Sequence, residues 1–274
     1  MQTALVAEIN RFVAAAEEER CRIGLMPLFE EPLVGVAAAT DPLFAAQKQI
    51  IGTFHLTPQE LVEQSGEEGI WQAASVICWV LPIGLKARSA NRAAVRYPSR
   101  EWAEVRSRGE EFNTALRRHV VSYIMRLGHR AIAPQLSPVW QSFADTPVGI
   151  ASNWSERHVA HIAGLGTFGL NDGLITNRGI AHRLGSVITD LPLAATRRSY
   201  TTYREYCLYS QEGRCGICIG RCPAGALSKQ GHDKERCRKY VYGDAVNAVS
   251  EEYGCHEVGC GLCQTKVPCE DRIP

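Results

Sequence analysis

Cys207-Leu-Tyr-Ser-Gln-Glu-Gly-Arg-Cys215-Gly-Ile-Cys218-Ile-Gly-Arg-Cys222-Pro223-Ala-Gly-Ala226, then Cys237, then Cys260-Gly-Leu-Cys263-Gln-Thr-Lys-Val-Pro268-Cys269, is the stretch that decides the fold. Nine of the eleven cysteines fall at or after Cys207, and an odd total leaves at least one unpaired in any disulfide scheme. In a reducing compartment a soft metal is the better account of such an array. Cys21 and Cys78 stand apart from it. Cys78, within the apolar run 74–82, reads as a small buried hydrophobe.

Bacterial two-cluster ferredoxins use C-x2-C-x2-C-x3-C-P, in which the fourth cysteine of each run ligates the other cluster. Cys215, Cys218 and Cys222-Pro223 fill the second, third and fourth positions. The first would be residue 212, which is Glu212, so its role passes to Cys207, displaced by a short insertion. Crossed ligation then gives one [4Fe–4S] cluster on Cys207, Cys215, Cys218 and Cys269, and a second on Cys222, Cys237, Cys260 and Cys263. Cys255 is spare and able to replace Cys237 or Cys260. Paired C-x2-C units also describe structural zinc, but zinc does not account for the Cys-Pro step or for a second group about 40 residues on. Residues 201–274 have few long apolar runs and several Gly or Pro breaks, so they need metal to hold them together.

Upstream, residues 1–200 read as a mixture of helices and strands, an α/β or α+β layer. Helical spacing covers 3–19 and 101–127, Asp41-Pro42 opens a helix, and 155–165 forms another that stops at Gly164-Leu-Gly166. Strands are expected at 33–38, 74–81, 130–135, 174–176 and 184–191. No G-x-G-x-x-G follows a strand, which argues against a nicotinamide-binding Rossmann domain. A formal net charge of +1 gives no global drive toward nucleic acid or an anionic membrane, and neither is expected as a partner. One local excess exists: eleven Lys or Arg against four Glu between Lys86 and Arg130, either a solvated helix face or a docking surface. With no export signal and no apolar stretch long enough to span a bilayer, the expected location is the cytoplasm.

The run Trp154-Ser-Glu-Arg157-His158-Val-Ala-His161-Ile-Ala-Gly164-Leu-Gly166-Thr-Phe-Gly169-Leu-Asn171, with Leu174-Ile-Thr176 and Arg183-Leu-Gly185-Ser186-Val-Ile-Thr-Asp190, resembles the corrinoid-binding core of epoxyqueuosine reductases and reductive dehalogenases. The cysteine array continues the likeness, which covers roughly residues 150–274. Upstream, Asp41-Pro-Leu-Phe44, His55-Leu-Thr-Pro58 and Arg96-Tyr97-Pro-Ser-Arg-Glu-Trp102 look like shorter iron–sulfur members of the group. The resemblance implies a nitroreductase-like domain over 1–200 that holds cobalamin near one cluster, followed by the ferredoxin-like double-cluster domain over 201–274. It implies an oxidoreductase fed by a low-potential donor, a ferredoxin or flavodoxin, and acting on a small molecule or a modified nucleoside. Epoxyqueuosine reductases also carry a helical-repeat extension that contributes to tRNA binding, whereas this chain stops five residues after Cys269, as a short form would. Their acidic proton donor has no Asp or Glu counterpart between Thr146 and Trp154, where Asn153 stands instead.

Under this reading Tyr97, Asn153 and His158 are the catalytic candidates. Arg157, His161, Gly164, Gly166, Gly169, Asn171, Arg183, Gly185 and Ser186 are the cofactor-binding ones. His158 and His161 lie three apart on one helical face, suited to face a corrin or move protons. Each residue also has an ordinary structural reading: packing for the histidines, Tyr97 and Trp102, capping or bulges for the glycines, ion pairs for the arginines. The competing functions are a ferredoxin-like electron carrier or corrinoid-reducing activator, and an epoxyqueuosine reductase without its extension.

Overall fold

The computed structural model describes residues 1–66, 69 and 71–274. Leu5, Ile9 and Val13, at helical spacing, bury one stripe of α1 (Gln2–Arg22), and β1 (Leu33–Ala38) follows. The Asp41 carboxylate accepts the Leu43 N–H at 3.0 Å and caps α2 (Pro42–Ile50). A reciprocal Thr57–Glu60 capping box opens α3 (Pro58–Gln64). Next come β2 (Ser75–Pro82), α4 (Leu85–Ala93), the long α5 (Arg100–Arg126) and β3 (Ala131–Ile132). β3 is shorter than the expected 130–135 because Pro134, without an N–H, turns the chain into a 3-10 segment. A ribbon of β4 (Ser142–Phe143) and β5 (Ala151–Ser152) leads to α6 (Glu156–Ile162). A second ribbon, β6 (Gly166–Phe168) and β7 (Leu174–Thr176), precedes β8 (His182–Thr189).

The main sheet has the order β1-β2-β8-β3 with every pair antiparallel. All eight residues of β2 are buried, because helices cover both faces. Ile77, Trp79 and Leu81 point toward α1 and α5, in one core with Leu116 and Val120. Val76 and Cys78 point the other way, to Phe44, Trp154, Val159 and Ala163. The period of two therefore sends alternate residues into two separate cores, and the continuous apolar run is its sequence signature.

Past Tyr200 the elements shorten: α7 (Leu208–Glu212), α8 (Ile217–Arg221), the β9 (Leu227–Ser228) and β10 (Gly231–His232) ribbon, and α9 (Lys234–Lys239). α9 runs through a wider turn at Tyr240–Asp244 into α10 (Ala245–Tyr253). Two small apolar clusters serve this region, one around Tyr240, Val249 and Val258 against Ala103 of α5, the other around Leu170, Ile175, Cys207 and Val267. Four of the eleven basic residues between Lys86 and Arg130 pair with acids of the C-terminal region: Arg88 with Asp271, Arg92 with Glu270, Arg100 with Glu252 and Arg106 with Glu257. Among the described residues no helix is long and apolar enough to cross a membrane.

Gly185 sits opposite Trp79 in the β2–β8 ladder, and a Cβ there would lie 2.6 Å from the indole, whose Nε1 donates to Asn113 at 2.9 Å. Gly185→Ala is expected to destabilise the fold by about 1–3 kcal/mol through overpacking. Urea unfolding should show a lower midpoint with an unchanged slope; an unaltered midpoint would contradict the assigned contact.

Candidate functional site

The cysteines fall into two sets, seen in how each thiol feels its neighbours. Burial, and after it the charges of Cys215 and Cys207, push the Cys218 thiol up to about 11. Burial, then Cys218, Cys207 and Cys215, push Cys269 up to about 12. On the other side, burial with Cys237 and Cys222 raises Cys260 to about 12, and burial with Cys260, Cys237 and Cys222 raises Cys263 further. One grouping holds Cys207, Cys215, Cys218 and Cys269, the other Cys222, Cys237, Cys260 and Cys263. Sulfurs gathered this closely disfavour the charged form at Cys218, Cys269, Cys260 and Cys263 unless a cationic core sits among them, which is the donor chemistry an iron–sulfur cluster requires. Among the described residues no three His, Cys, Asp or Glu side chains converge to chelate a single metal ion. Cys255 lies near the second set, its Sγ 3.6 Å from the Tyr253 carbonyl.

Asn171 lies between the two sets. Its Nδ2 donates to the Cys263 carbonyl at 2.9 Å, its Oδ1 accepts the Gly173 N–H, and it borders both cysteine-lined cavities. Gly169 faces the first set.

The second set opens onto a cavity of about 400 Å³ whose far wall is β8 and the start of α6. Arg183 is fixed there by Glu110 at 2.6 Å and the Arg106 carbonyl at 2.6 Å, and burial lowers its guanidinium to about 10. His182 donates from Nε2 to the Leu174 carbonyl at 2.7 Å, which leaves Nδ1 a buried acceptor without a partner. Burial holds this imidazole neutral, at about 4. Glu156 is the residue the sequence reading missed. Both its carboxyl oxygens are buried without a well-formed hydrogen bond, and burial raises its pKa against the opposing pull of Arg117, 3.6 Å away, and of Ser186. Its position at the first turn of α6 resembled an ordinary helix start.

An adjoining cavity of about 570 Å³ shares Arg157 and His232 with the first and takes in His158, Phe168, Asp172 and Tyr203. His158 is bound on both nitrogens, Nδ1 to Ser155 Oγ at 2.7 Å and Nε2 to Tyr203 Oη at 2.8 Å, and burial keeps it well below the usual histidine range. Burial opposes charge on His232, but Asp172 and Cys237 outweigh it and lift the group to about 9.

The remaining predicted residues are placed elsewhere. Asn153 spends its amide on the loop backbone, accepting from Gln141 N–H at 3.0 Å and donating to the Val139 carbonyl at 2.7 Å. Tyr97 stacks on Tyr240 at 6.2 Å on the C-terminal side, away from His158. His161 is buried, its Nδ1 on the Gly166 carbonyl at 2.8 Å. Gly164, at φ +81°, turns the chain after α6 against Thr196, and Gly166 admits the Ile175 carbonyl where a Cβ would be 2.1 Å from it. Ser186 Oγ accepts the Trp154 indole N–H at 3.0 Å. Gly185 makes room for Trp79 rather than for a ligand.

No protein-family model matches the chain. It is similar to an epoxyqueuosine reductase of Leadbetterella byssophila, 30% identical over 131 residues, which are 46% of this chain and 39% of that protein. It is also similar to one of Yersinia pestis, 34% identical over 120 residues, 41% of this chain and 27% of the relative. The chain thus aligns with well under half the length of these curated relatives. Among solved structures, the catabolic reductive dehalogenase NpRdhA superposes with a TM-score of 0.54 at 16% identity, over 88% of this chain and 30% of that one. A structure described as suggesting a mechanism for B12-dependent dehalogenation gives 0.52 at 17%, over 84% and 28%. These matches bear out the resemblance read from the sequence, and the dehalogenase likeness carries the mixed α/β fold.

α6 itself is anchored by His55, which is wholly buried, accepts the Ser155 N–H at Nε2 (3.2 Å) and stacks near Trp154. Burial, reinforced by Lys48, lowers its pKa to about 4. The unfolded chain, titrating near 6.5, binds more protons than the folded one between these values, so stability falls as pH drops from about 6.5 toward 4. Between pH 8 and pH 5 this group should contribute a loss of about 2 kcal/mol. In paired urea titrations, His55→Phe should narrow the difference between the two pH values by that amount; an equal difference in both proteins would refute the assignment.

Proposed function

We propose that this chain is an iron–sulfur oxidoreductase that passes single electrons through two [4Fe–4S] clusters to a corrinoid held beside the second cluster, for the reduction of an organic substrate. The observation that carries this reading is the pair of four-thiolate sets, one of which opens onto a cavity with unpartnered polar groups. Residues 201–274 form the cluster-bearing part and, together with residues 1–200, line the cavities for cofactor and substrate. When bound, the clusters supply electrons one at a time and the corrinoid a reducible cobalt centre. Similarity to epoxyqueuosine reductases and the fold shared with a protein of B12-dependent dehalogenation support the assignment.

The chain's own groups then have definite tasks. His182, Arg183 and Glu156 line this cavity, where polar side chains would suit amide groups such as those at a corrin's rim. Glu156, whose carboxyl burial shifts toward the protonated form, lines the same cavity as the second cysteine set. Asn171 fixes the backbone between the two cysteine sets, the path a single electron takes. A low-potential ferredoxin or flavodoxin is the donor, and the substrate is a small molecule or modified nucleoside.

Protein prepared without oxygen should contain about eight iron and eight sulfide per chain. Cys218→Ala should remove about four of each, and Cys21→Ala none. Cobalamin added anaerobically should co-elute with the protein in gel filtration. Zinc in place of iron would overturn the electron path, and free elution of cobalamin would overturn the corrinoid assignment.

A further inference from the structure

The larger cavity, of about 570 Å³, is of a size that takes a small organic ligand. Three permanent cations line it, Arg157, Arg204 and Lys234, against one carboxylate, Asp172. That carboxylate is already engaged: Arg204 donates to Oδ1 at 3.3 Å and His232 faces Oδ2 at 3.4 Å. Arg157 reaches the Asp172 carbonyl at 2.6 Å rather than its carboxylate. Lys234 is half-buried, and among the described residues no carboxylate lies within ion-pair distance of it. Burial holds its ammonium below the ordinary lysine range; the Asp172 carboxylate opposes this and the Arg157 charge adds to it more weakly. Cations gathered in a concave, partly dry wall repel one another, and an anion entering among them relieves that repulsion where solvent reaches least.

The rest of the lining has a different character. Phe168 and Tyr203 stack at 4.2 Å with 11° between their planes, and His158 holds the Tyr203 hydroxyl in place. Ile51 and Ile150 add apolar surface. The cavity thus has a basic end and an apolar, aromatic body.

We propose that this cavity binds the substrate as an organic anion, its charged group on Arg157, Arg204 and Lys234 and its ring or unsaturated body against the Phe168–Tyr203 wall. This names the substrate class of the reductase described above and rests on that reading. Two sources share the chemistry, an aromatic carboxylate and a nucleoside monophosphate, and the probes below separate them.

Calorimetric titration of anaerobically prepared, cluster-loaded protein with benzoate, AMP and inorganic phosphate, beside the neutral benzamide and adenosine, tests the proposal. At least one ring-bearing anion should bind tenfold or more tighter than its neutral counterpart. Lys234→Met should weaken it about tenfold, and Lys234→Arg should restore most of the affinity, which separates lost charge from lost folding. Equal binding of neutral and anionic rings, inorganic phosphate as tight as the ring-bearing anions, or an unaffected Lys234→Met protein would each overturn it. Iron counted in the same samples separates the two claims: full iron without anion binding defeats this inference alone. Anion binding in protein that cannot hold iron supports the site and defeats the redox reading.

Discussion

One guanidinium holds the molecule's two halves in register. Arg221, between Cys218 and Cys222, donates to the carbonyls of Leu262 (3.2 Å), Thr265 (3.1 Å), Ala94 (2.8 Å) and Asn91 (3.1 Å). The first two flank Cys263, and the last two lie at the end of α4. Hydrogen bonds from a charged donor are stronger than neutral ones, and four on one planar fork fix direction as well as distance. Asn91, fully buried, extends the junction by donating to the Cys260 carbonyl and to Thr265 Oγ1. The spacing of the second cysteine set, and the cavity it opens onto, therefore depend on a contact between segments more than a hundred residues apart in sequence.

Around this junction the arginines of α4 and α5 and the acids of the C-terminal region form a seam. Its members are unequal. Exposed pairs such as Arg100 with Glu252 contribute about 0–1 kcal/mol. Arg88 is almost wholly buried and meets Glu30 and Asp271, so it cannot lose a partner without leaving a charge uncompensated. Part of the basic segment therefore joins distant parts of the chain, while Lys86, Arg96, Arg118, Arg126 and Arg130 stay exposed to solvent.

Much of the fold was legible because it rests on local rules. The apolar run at 75–82, the cap at Asp41-Pro42 and the helical spacing after Arg100 each state their structure in a few consecutive residues. The two cysteine groupings likewise follow from positions close in sequence, the Cys-x2-Cys steps at Cys215–Cys218 and Cys260–Cys263. The candidate site was read less well. Glu156 matters because Arg117 and β8 bury it, Lys234 because Arg157 and Asp172 arrive from elsewhere, and Gly185 because Trp79 lies across the ladder. None of these relations is written in neighbouring residues. Asn153, read as a catalytic candidate, spends its amide on the Val139 and Gln141 backbone, contacts that no neighbouring residue announces.

The ligand sets of the proposed clusters are nested, since the chain makes all of Cys222, Cys237, Cys260 and Cys263 between Cys218 and Cys269. Bringing Cys269 back to Cys218 on an open chain closes a loop of 51 residues. Once the inner set is filled, only the four steps from Cys218 to Cys222 and the six from Cys263 to Cys269 remain free. With loop entropy growing as the logarithm of length, that shortening lowers the closure cost of the outer set by about 1.4 kcal/mol, roughly a tenfold gain. Topology alone thus couples the two sites, each making the other easier to fill, without any contact between the clusters themselves.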